Sequence, residues 1–83
     1  MDDVNLTDHS AYRAAVELYR IALSAYRFQA ARGLTALMPE RIYCDQFIRF
    51  NFHPLPWSAS SAAGQDWTQA HADAAYEEAR RFP

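Results

Sequence analysis

His9, His53, His71 and Cys44 are the side chains of this sequence best suited to hold a transition metal or attack an electrophile. No two of the histidines stand four residues apart, the spacing at which one helix aims a pair of ligands at one ion. His71 and Asp73, two apart on a helix, diverge. A cysteine beside a histidine is the residue-type match for a nucleophile and its base, but almost any chain of this size contains both, and nothing in their spacing joins them. Glu77 and Glu78 are neighbours, so on a helix they point about 100° apart and do not converge as an acid and base pair. Gly33 and Gly64 are too far apart to form a phosphate-cradling loop or a dinucleotide fingerprint. We therefore expect no catalytic residue, no metal ligand and no cofactor.

The elements that would have to position any site are few. A chain of 83 residues, 51% hydrophobic and 14% aromatic, is long enough for one domain with one modest core. No run approaches the roughly 18 apolar residues of a membrane span, and Met1-Asp2-Asp3-Val4 has neither the basic nor the apolar region of a secretory signal. With a single cysteine, Cys44, no internal disulfide can form, and the chain is expected to be cytoplasmic, with no membrane partner and Cys44 as a small core residue. The net charge is −2, yet residues 11–49 hold six arginines against three acids, so the middle of the chain is locally basic.

From Ala11 the sequence nearly repeats every seven residues, reading AYRAAVE, LYRIALS, AYRFQAA, a period of two helical turns. It predicts a first helix over about residues 8–32, capped by Thr7 or Ser10 and ended by Gly33 in the left-handed conformation. Residues 34–38 form a short connection. Pro39 suits the start of a second helix, about 39–51, in which Arg41, Asp45 and Arg49 stand as successive charge pairs. The alternation of Ile42, Cys44, Ile48, Phe50 and Phe52 leaves a strand or hairpin as the competing reading. Two prolines break any helix through Phe52-His53-Pro54-Leu55-Pro56-Trp57, an apolar loop expected to fold over the core as a lid with Trp57 plugging a gap, or else to stand exposed as a docking element. Ser58 to Gly64 reads as a linker, and Asp66 as the cap of a third helix, about 66–81, with Trp67, Tyr76 and Phe82 as anchors. The expected fold is all-α, a small three-helix domain with the proline and aromatic loop between the second and third helices.

Two functions fit this pattern. In the first helix Arg13, Glu17, Arg20, Ser24 and Arg27 form a narrow polar stripe. Leu18, Ile21, Ala22, Ala25 and Phe28 make one apolar flank, and Tyr12, Val16, Tyr19, Leu23 and Tyr26 another. A helix apolar on two sides is either sandwiched in its own domain or used against another chain. The first reading is a non-enzymatic module that binds a larger protein or complex as a small inhibitor or adaptor, as phage-encoded counter-defence proteins do. Tyr12, Tyr19, Tyr26, Arg13, Arg20, Arg27 and Trp57 would be its partner-binding residues, and a homodimer through the first helix is compatible with it. The bland alternative for the tyrosines is burial with their hydroxyls at the core's edge. The second reading is a small helical regulator that contacts nucleic acid through the arginine stripe, against which Glu17 and the acidic net charge weigh.

Overall fold

The computed structural model describes residues 6–33, 38–52, 55–57 and 66–81, and the statements below concern these. After a 3-10 turn at Leu6–Asp8 come three helices: α1 (Tyr12–Ala31), α2 (Glu40–Asn51) and α3 (Gln69–Arg81). No strand occurs among the described residues, and the segment for which a hairpin competed is helical. Its aromatic and β-branched residues serve the helix because Cys44 and Ile48, four apart, share one buried face.

The helix ends show how local chemistry sets the boundaries. The residue at the N-cap of α1 is Ala11, not Thr7 or Ser10. His9 Nδ1 accepts a hydrogen bond from the Ala11 amide at 3.0 Å, and the helix begins at Tyr12 rather than near residue 8. Gly33 has φ +75°, the left-handed conformation that lets its amide turn back to the Ala30 carbonyl at 2.9 Å and stop the helix. At α3 the cap is Thr68, not Asp66. The Thr68 hydroxyl oxygen accepts from the His71 amide at 3.4 Å, while His71 Nδ1 accepts from the Thr68 amide at 3.1 Å. This is a reciprocal capping box in which histidine replaces the usual Glu or Gln. The 34–37 connection, the 58–64 linker region, His53, Pro54 and Phe82 lie outside the described residues.

α1 is the spine. Side-chain pairs along the helices place α2 antiparallel to both of the others: Tyr19 meets Asp45 and Tyr26 meets Tyr43, while Arg41 meets Asp73 and Glu40 meets Arg80. Ala15, Ala22, Ala75 and Ala79 are almost wholly buried, and their small side chains let helices approach closely around Val16, Leu23, Cys44 and Ile48. α2 and α3 each pack on α1 but have no Cα atoms within 8 Å of one another. The molecule is accordingly a flat layer, 45 × 26 × 18 Å, with a cleft between α2 and α3 whose floor includes Tyr19 and Ile48.

Long side chains bridge that cleft. Arg41 on α2 donates from Nε to both Asp45 carboxylate oxygens, at 3.2 and 3.1 Å, and from Nη1 to Asp73 on α3 at 2.9 Å. Its guanidinium also lies over the rings of Tyr19 and Tyr76, 5.4 and 5.0 Å from their centroids. The preceding residue, Glu40, accepts from the Tyr76 hydroxyl and from Arg80 Nε. Burial alone would lower the pKa of Arg41, but its hydrogen bond to Asp73 and the charges of its neighbours outweigh that and hold it above the usual arginine value.

The alanines of α3 offer a contrast that tests this packing. Ala75 is fully buried while Ala70 is exposed. Ala75→Leu should destabilise the fold by about 1–3 kcal/mol through overpacking, and Ala70→Leu should leave it within about 0.5 kcal/mol. Thermal or urea melts of the two variants check this directly.

Candidate functional site

The residues singled out on α1 part company in three dimensions. Tyr12 and Tyr19 are core residues, 2% and 3% exposed, so they are not available to a partner, and the flank that carried them faces α2 and α3. Their hydroxyls end at the rim of the core, each on a carboxylate. Tyr12 donates to Glu78 Oε1 at 2.6 Å, Tyr19 to Asp45 Oδ1 at 2.6 Å, and Tyr76 to Glu40 in the same manner. Burial, reinforced by the Glu78 carboxylate, pushes the Tyr12 hydroxyl up to about 12. The Tyr19 and Tyr76 hydroxyls rise for the same reasons. Tyr26 is half-buried with its ring 5.3 Å from that of Tyr43.

The arginine stripe is largely answered by carboxylates. Arg13 pairs with Glu78 at 3.0 Å and Arg20 lies 3.6 Å from Glu17. Arg20 Nε is itself buried without a hydrogen-bond partner among the described residues. Arg27 is exposed. Three parallel cations for a phosphate backbone are therefore not presented. Trp57 is half-buried: with Leu55 it packs against the core, and its ring stacks on Trp67 at 5.1 Å and 21°.

What does reach the surface is Ile21 and Phe28 of the other apolar flank, whose Ala22 is buried, and the outer face of α2. Ile21 and Phe28, seven apart on α1, are 46% and 62% exposed, and Ile42 and Phe50 on α2 are 48% and 73% exposed. Ile42, Gln46 and Phe50 follow one another at four-residue spacing and so share a face of α2. Beside them lies a groove of about 220 Å³ lined by Met38, Tyr43, Gln46, Phe47, Phe50 and Asn51. Two of its lining rings, Tyr43 and Phe47, stack on one another, and beyond the groove Tyr26 lies against Tyr43 and Phe52 meets Phe47 at 6.3 Å. The sequence carried a signal for this face, since Ile42 and Phe50 fall outside the Cys44 and Ile48 stripe once the segment is read as a helix.

Cys44, His9 and His71 are held in structural contacts. Cys44 is fully buried, and burial, with help from Glu40 and Asp45, pushes its thiol up to about 12, so it offers almost no thiolate at neutral pH. His9 and His71 meet edge to face at 4.7 Å, with Trp67 stacked on His71 at 5.1 Å. Each histidine uses Nδ1 to accept a backbone amide. Among the described residues no three His, Cys, Asp or Glu side chains gather as a metal site would require. No described helix is long and apolar enough to cross a membrane. No protein-family model, curated protein or solved structure matches this chain.

Burial lowers the pKa of His71 from its usual 6.5, and neighbouring His9 lowers it further, against a smaller opposing effect of Asp66. A proton on Nδ1 would also break the capping bond to Thr68. The folded state thus binds this proton less readily than the unfolded chain, so the contribution is intact above about pH 6.5 and is lost as pH falls through and below that value. His71→Gln, which keeps an acceptor for the Thr68 amide, should flatten the fall in Tm between pH 7 and 5 while leaving Tm at pH 8 nearly unchanged. Melting curves over that range provide the check.

Proposed function

We propose that this chain is a protein-binding module, a small inhibitor or adaptor of a larger protein, and that it engages its partner through the outer face of α2. The observation that carries the reading is the groove beside Phe50. In a chain with so little core, a phenylalanine 73% exposed next to an apolar groove backed by Tyr43 and Phe47 is surface that water disfavours and a partner can cover. Aromatic residues around such a depression are the usual energetic centre of a protein interface. The partner is one that presents an aliphatic or aromatic side chain to fill the groove.

The buried tyrosines keep a part in this reading as the framework that holds α2 at a fixed angle to α1. The phage-encoded counter-defence proteins are one form that such an inhibitor takes. Offset of the arginine stripe by Glu78 and Glu17 weighs against a nucleic-acid regulator, which needs unpaired cations.

The test is affinity capture from native cell extract, with and without nuclease, using the wild-type chain and Phe50→Asp, with circular dichroism to establish that the variant is folded. A stoichiometric, nuclease-resistant partner whose recovery falls about 30-fold with Phe50→Asp is the expected result, the size of a hot-spot residue. A partner retained equally by both proteins, or one released by nuclease, would overturn the assignment.

A further inference from the structure

The opposite face of α2 borders the cleft toward α3, a pocket of about 360 Å³ for which neither the fold nor the proposed docking face has a use. Its floor includes Tyr19 and Ile48, and Leu55, Trp57 and Trp67 form an apolar wall. Trp57 and Trp67 stack on one another in that wall, and His71 stacks on Trp67. Its polar lining includes Arg41, Asp45, Arg49 and Gln69. A volume of this order is that of small-molecule sites, which combine apolar walls with a few fixed polar groups.

The charges decide which small molecule fits. Arg41 is already engaged, since its Nε and Nη1 donate to Asp45 and Asp73 and its guanidinium lies over the Tyr19 and Tyr76 rings. Asp45 is equally occupied, accepting from Tyr19 and from Arg41. Arg49 is different: it lines the pocket, is exposed, and forms no ion pair among the described residues. One free guanidinium beside an aromatic wall, with the Asp45 carboxylate in the same pocket, favours a single negative charge over a doubly charged phosphate. We propose that the α2–α3 cleft binds a small planar organic monoanion, an aromatic carboxylate, whose ring lies against the Trp57 and Trp67 pair and whose carboxylate is held by Arg49.

Trp57 and Trp67 are the only tryptophans of the chain and both line the pocket, so two indole N–H signals in a nitrogen-15 NMR spectrum report on it. The probes are indole-3-acetate and its neutral amide, indole-3-acetamide, titrated to millimolar concentration against wild type and Arg49→Gln. The expected result is a saturable shift of both indole signals with the carboxylate, with about tenfold weaker binding of the amide and about tenfold weaker binding of the carboxylate to Arg49→Gln. Arg49→Gln should melt at the wild-type temperature, because Arg49 is exposed and braces nothing in the described structure. No saturable shift, or equal binding of acid and amide, would overturn the proposal.

Discussion

The guanidinium of Arg41 is the constraint on which the arrangement turns. α2 and α3 both rest on α1 without approaching one another along their backbones, so their separation is set by what lies between them. Arg41 spans that space, bound to Asp45 on its own helix and to Asp73 on the facing one, with Tyr19 and Tyr76 against its plane. A planar, permanently charged fork can serve two carboxylates and two aromatic faces at once, which a lysine ammonium cannot. The same group explains why the tyrosines can be buried. Their hydroxyls need acceptors at the core's edge, and the Asp45 that receives Tyr19 is held in place by Arg41.

From this brace follow both faces of α2. The inner face, anchored by Cys44 and Ile48, leaves a cleft toward α3 because a side chain rather than a helix-to-helix contact fills the gap. The outer face is left without cover, since α1 already packs against the core side and no described element lies across Phe50. A three-helix chain with tight contact between all its helices would have had neither the cleft nor so much aromatic surface. The proposed docking face and the proposed anion pocket are thus separate consequences of one packing choice.

Much of the architecture was legible in the residues. The seven-residue repeat of α1, the left-handed Gly33 and a second helix opening at Pro39 are each local physics; the structure shows the first two in place and begins α2 one residue later, at Glu40, with the extended Pro39 as its cap. The caps were not legible. Thr7, Ser10 and Asp66 are ordinary cap residues, whereas the side chains that receive or support the first amides include His9 and His71, a role that depends on which imidazole nitrogen is unprotonated. Nor could periodicity decide which apolar flank of α1 was inside. Both flanks are rich in large side chains, and the choice was made by partners 26 to 66 residues away in sequence, Asp45 and Glu78, which accept from Tyr19 and Tyr12. Arg41 read as a surface charge pair with Asp45, and so it is, but its longer reach to Asp73 has no signature in one dimension.

Amide hydrogen exchange on Arg41→Gln, compared residue by residue with the wild type, tests the bracing role most directly. If Arg41 fixes α2 in place, amides of α2 around Cys44 to Ile48 lose protection selectively while those in the centre of α1 keep theirs. Unchanged protection in α2, or an equal loss across all three helices, would contradict it.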